Sequence, residues 1–198
     1  MSAVVPSAGP GRGAGWRTRE VVVTAVLGVA FGVVFWAWGN LVWPALGLLG
    51  PLQNLLYGPW LIPAGLAPLV VRRPGSGVFA EVVAASVSAL LGSQWGVIIL
   101  LYGVVQGLAG EVPFLATRYR AFGWPVVMVA GVLASLAAWI LDWVFYFPGV
   151  EIGTQLVVGA LMAISGVVVV AGGSWWLARA LRQAGVLEGL ASAEGTST

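Results

Sequence analysis

Cysteine, histidine and lysine are absent from this 198-residue chain, and aspartate occurs once, at Asp142. No disulfide can form, so cysteine usage carries no information about redox compartment. Serine–histidine and cysteine–histidine chemistry is excluded, as are thiolate and imidazole metal sites. Without lysine there is no Gly-x-x-x-x-Gly-Lys-Ser/Thr loop, so the chain is not a P-loop ATPase. Charge of either sign is scarce: 8% of residues are charged and 60% are hydrophobic, against roughly 25% charged in an ordinary soluble domain. The formal charge of +2 is too small to imply a nucleic-acid partner. This much apolar surface needs a lipid bilayer around it, and the fold class is all-α, a polytopic protein of the cell membrane.

Residues 1–16 are rich in Gly, Ala, Pro and Ser and hold no apolar h-region, which predicts a disordered cytoplasmic tail and not a signal peptide. Residues 17–183 form the membrane domain, and 184–198 a small, polar, flexible tail. Within the domain the first span covers about 21–38, and a helix-poor segment with Trp43, Pro44, Gly47 and Gly50 follows. The second, about 52–71, is kinked by Pro59, Pro63 and Pro68. After the turn Arg72-Arg73-Pro74-Gly75-Ser76-Gly77 comes a short third span, 78–91, and a fourth ending near Thr117. The fifth runs 124–147, and the sixth 153–181.

All nine basic residues are arginines, and in this six-helix reading they fall on one side: Arg12, Arg17, Arg19, Arg72, Arg73, Arg118, Arg120, Arg179 and Arg182. The three opposite loops hold none. The positive-inside rule then puts both termini in the cytoplasm, and five or seven spans would scatter the arginines.

Two carboxylates interrupt this apolar pattern. Glu81 lies eight residues after Arg73 and Glu111 seven before Arg118, so both sit about 10–12 Å inside the same face at about 1.5 Å per helical residue. An ionisable group there costs about 2.5–3.5 kcal/mol on insertion scales and usually faces a cavity or a partner. Ligand contact, snorkelling onto Arg73 or Arg118 and a fold-locking hydrogen bond are the open readings. A site of this kind suits something small with hydrogen-bond donors or positive charge. Gln106, in the fourth span, donates and accepts, toward a ligand or another helix. It stands about 140° from Glu111 on an ideal helix, so one face presents both only if Gly107, Gly110 or Pro113 distorts it. Trp139, Asp142 and Tyr146 share one helical face, either a stacking wall with a carboxylate or part of an interfacial aromatic belt.

The chain resembles the YkoE family of substrate-binding (S) components of energy-coupling factor vitamin transporters. The resemblance rests on Arg72-Arg73-Pro74-Gly75 before Glu81, on Gly92-Ser93-Gln94-Trp95-Gly96, on Tyr102-Gly103 and Gln106-Gly107, on Glu111 with Phe114, and on Arg118-Tyr119-Arg120. It implies capture of thiamine or its hydroxymethylpyrimidine precursor from outside, with no cofactor. It also implies two kinds of partner, a transmembrane coupling protein and ATPase subunits that drive reorientation. For such a ligand Glu81 and Glu111 would meet the aminopyrimidine or the thiazolium charge. In S components the first outer loop commonly acts as a lid, which makes Trp36 and Trp60 candidate stacking residues. Asn54 and Tyr57 are further outer-side candidates. The small-residue Ala-x-x-x-Ala docking seam of other S components is broken here, since Ala25 is followed by Val29, while Gly28 and Gly32 offer a substitute. A proton-coupled carrier using Glu81 and Glu111 is the alternative. An integral-membrane enzyme is disfavoured by the single aspartate.

Overall fold

The computed structural model describes residues 15–185 and Leu187. The expected N-terminal tail thus lies almost wholly outside the described residues, as does most of 184–198. Among the described residues every regular element is helical. Four stretches are long and apolar enough to cross a membrane: Thr18–Val71, Gly96–Ala116, Trp124–Phe145 and Ile152–Gln183. The apolar helix Ser76–Leu90 is shorter; its 15 residues rise about 22 Å at 1.5 Å each.

Helix α1 (Thr18–Ala37) begins with a capping box in which Glu20 accepts the Arg17 amide. It runs into a π turn, Trp38–Val42, then the one-turn α2 (Trp43–Leu46) and two 3₁₀ segments, Gly47–Leu56 and Gly58–Leu61. Gly50 breaks this connector with φ 54° and ψ −136°, a conformation that glycine alone adopts readily. The second expected span is therefore only half α-helical. Pro51, Pro59 and Pro63 remove the amides an α-helix would use, and α3 is confined to Ile62–Val71. Arg72 ends it in the left-handed region (φ 56°), and Gly75 (φ 87°) opens α4 (Ser76–Leu90). Then come α5 (Ile99–Ala116), α6 (Trp124–Phe145) and α7 (Ile152–Ser165). A π segment, Gly166–Ala171, carries α7 into α8 (Gly172–Gln183).

Glycines let these helices approach closely. A Cβ on Gly28 would lie 2.7 Å from Val83, and one on Gly32 2.5 Å from Val87. The Gly28–Gly32 seam, expected to face a partner, is thus consumed by packing of α1 on α4. Gly107 abuts the backbone of Val78, and Gly131 and Gly166 bring α6 and the π segment together backbone to backbone. Such contacts replace the hydrophobic effect, which does not drive helix association in lipid.

Candidate functional site

A cavity of about 340 Å³ opens among the connector, the α4–α5 turn and the adjoining ends of α1, α4, α5, α6 and α7. Its position follows from chain direction. The cavity residues of α4 and α5, Ala85, Ser88, Tyr102 and Gln106, lie in the half of each helix away from Arg72, Arg73 and Arg118. Asp142 lies at the far end of α6 from Arg120, and Thr154 at the start of α7, far from Arg179. The cavity and the described arginines occupy opposite ends of the bundle.

One wall is aromatic. Trp43 and Trp60 meet at 4.8 Å between ring centroids, Tyr57 and Trp60 at 5.1 Å, and Trp60 and Trp95 at 5.2 Å, all edge to face. That geometry suits aromatic quadrupoles. The wall is held by its polar handles: Trp60 Nε1 donates to the Phe35 carbonyl at 3.2 Å, and Asn54 Nδ2 to Pro51 at 2.9 Å. Asp142 also lines the cavity, and its Oδ1 accepts the Tyr102 hydroxyl at 2.7 Å. Tyr57 lines the same cavity as this carboxylate. Gln155 donates to the Phe147 carbonyl at 2.9 Å and ties the α6–α7 loop to the rim.

Six of the ten residues singled out from sequence line this cavity: Asn54, Tyr57, Trp60, Gln106, Asp142 and Tyr146. The other four do not. Trp36 is one residue past the lining Phe35, a rotation of about 100°, which turns it off the cavity. Trp139 packs on Gly159 and tilts against Trp143 at 5.4 Å.

Glu81 and Glu111 are both buried and both cap helices. Glu81 Oε1 accepts the Ala64 amide at 2.9 Å, one of the first-turn donors of α3 that no intrahelical carbonyl can reach. Glu111 accepts Gly77 N–H at 2.7 Å and Gly75 N–H at 3.0 Å. The α4 N-cap is a glycine with no side chain of its own, and α5 supplies the carboxylate that favours a helix N-terminus. Neither glutamate pairs with the arginine suggested by its spacing. Arg73 instead binds Glu20 through Nε at 2.9 Å and 3.0 Å, and the Arg72 guanidinium lies 4.8 Å over the Phe122 ring.

Sequence reasoning missed Tyr102 and Trp95 as cavity residues and Glu20 as the partner of Arg73. Tyr102 had a legible signal, since it stands four residues before Gln106 and so on the same helical face. Trp95 sits in a turn and had none.

Residues 19–137 match the family model for the permease component of an ABC-type cobalt transport system. The "Putative HMP/thiamine permease protein YkoE" of Bacillus subtilis (strain 168) is 36% identical over 160 residues, 75% of this chain and 79% of that protein. A solved structure, the "Crystal structure of an S-component of ECF transporter", superposes with a TM-score of 0.83 at 33% identity, covering 91% of this chain and 92% of that one. The fold is that of an S component, a multi-pass membrane subunit of a transporter rather than an enzyme. Within that class the chain belongs to the YkoE family.

Proposed function

We propose that this protein is the substrate-binding subunit of an ATP-driven importer, that it binds thiamine or hydroxymethylpyrimidine in the aromatic cavity, and that it delivers the ligand by reorienting with a coupling protein and ATPase subunits. In this reading the chain crosses the membrane six times, both termini are cytoplasmic, and the cavity opens outward. The asymmetry of the arginines supports that orientation. The observation that carries the ligand class is Asp142 facing an indole and phenol wall. An aminopyrimidine stacks on such a wall and donates to such a carboxylate, and the thiazolium of thiamine adds a cation that both attract.

Cobalt, which the matched family model names, fits these residues poorly. The chain has no histidine or cysteine, and among the described residues no three acidic groups cluster. A proton relay through Glu81 and Glu111 also loses support, because both carboxylates are engaged with helix N-termini outside the cavity.

Titration of the detergent-purified protein with thiamine and with hydroxymethylpyrimidine, read by tryptophan fluorescence and checked by calorimetry, tests the reading. Saturable submicromolar binding of either is expected. No response to either from a folded sample would contradict it.

A further inference from the structure

The Gly39 carbonyl lacks a backbone partner for a reason written in the sequence. In the π turn Trp38–Val42, amides bond carbonyls five residues back, and Trp43 N–H accordingly bonds Trp38 O. In that register the donor for Gly39 is residue 44, which is proline and has no N–H. The Gln94 side-chain amide fills the place, donating to Gly39 O from a turn 55 residues away in sequence. Beside it the Trp95 ring lies directly on Gly39, where any Cβ would collide with it.

Both sides of this junction carry cavity residues, Trp43 and Asn54 on the connector, Ser93 and Trp95 on the α4–α5 turn. Gln94 itself is not among them. We propose that Gln94 is a latch, a positioning residue that clamps the connector to the α4–α5 turn and sets how long a bound ligand stays. Parting of this junction is the motion that opens the cavity. The effect on ligand residence rests on the cavity being the binding site; the clamp itself does not.

Two measurements separate these. In stopped-flow tryptophan fluorescence, Gln94→Ala should release thiamine about threefold to tenfold faster, the worth of one hydrogen bond, and association should quicken with it, since entry and exit cross the same junction. Pro44→Ala restores a backbone donor for Gly39, so in that background Gln94→Ala should change release much less, a coupling that a general loss of packing would not produce. Because the chain has no cysteine, spin labels can be placed at Leu48→Cys and Leu90→Cys, positions 96% and 87% exposed, without removing any native thiol. The ligand-free distance distribution should be narrow in the parent and broad with Gln94→Ala. A narrow distribution in Gln94→Ala would overturn the latch whatever the ligand data show. A broad one in a protein that ignores thiamine would keep the latch and sink the vitamin reading. An unchanged release rate alongside a broad distribution would overturn its control of residence.

Discussion

Tyr102 donates its phenolic hydrogen to Asp142 at 2.7 Å, and this bond joins α5 to α6 at the wall of the cavity. Tyr57, on the connector, lines the same cavity. Two helices converge on one acidic group, while the described arginines are gathered at the opposite end of the bundle. The fold thus fixes the carboxylate with a neutral donor, and in the proposed function the counter-charge comes from the ligand.

Removal of the Tyr102 hydroxyl tests the fixation. Tyr102→Phe keeps the ring and loses the donor, so thiamine affinity should fall by about threefold to tenfold. Calorimetry reads it directly.

Stacking is separable from charge. Trp60→Ala removes the ring at the centre of the aromatic wall, and affinity should drop about tenfold or more, in line with a desolvated cation–π contact of about 2 kcal/mol. Trp60→Phe should fall between the two. Trp176, exposed on α8, serves as the control: Trp176→Ala leaves the titration unaltered.

The intramembrane glutamates should behave as structural groups. Glu111→Ala strands the amides of Gly75 and Gly77, and a buried donor without a partner costs about 1–3 kcal/mol. Tm should fall clearly, while the folded fraction keeps its thiamine affinity within about threefold. Glu81→Ala, which strands the Ala64 amide, should follow the same pattern. A tenfold affinity loss without a fall in Tm would return either residue to the binding site.

Orientation can be read with single cysteines in this cysteine-free chain. A membrane-impermeant maleimide applied to intact cells should label Leu48→Cys in the connector. Ala184→Cys, just past α8, should label only after the cells are opened. The reverse pattern would invert the topology.

The helical class and the segregation of charge were legible because they depend on composition and on arginine positions, which no packing detail alters. The lining of the cavity was legible in part. Asp142, Tyr146 and Gln106 were visible as polar groups on otherwise apolar helices, and Trp60 and Tyr57 as aromatics in a proline-rich connector. For the two glutamates several readings stayed open, since a lone carboxylate in an apolar helix looks the same whether it meets a ligand or a stranded amide. Only the juxtaposition of α3, α4 and α5 reveals that Ala64, Gly75 and Gly77 are waiting donors. Likewise Gly28 and Gly32 mark a close approach in sequence, but the partner, Val83 and Val87 within the same chain, is a fact of tertiary packing.

The most direct test of the account is the thiamine Kd of Asp142→Asn against the parent, by calorimetry on samples of matched Tm. The account predicts at least a tenfold weakening, about 1.4 kcal/mol, since the amide keeps the size of the carboxylate and loses its charge. An unchanged Kd in the folded variant would contradict it and remove Asp142 from the binding site.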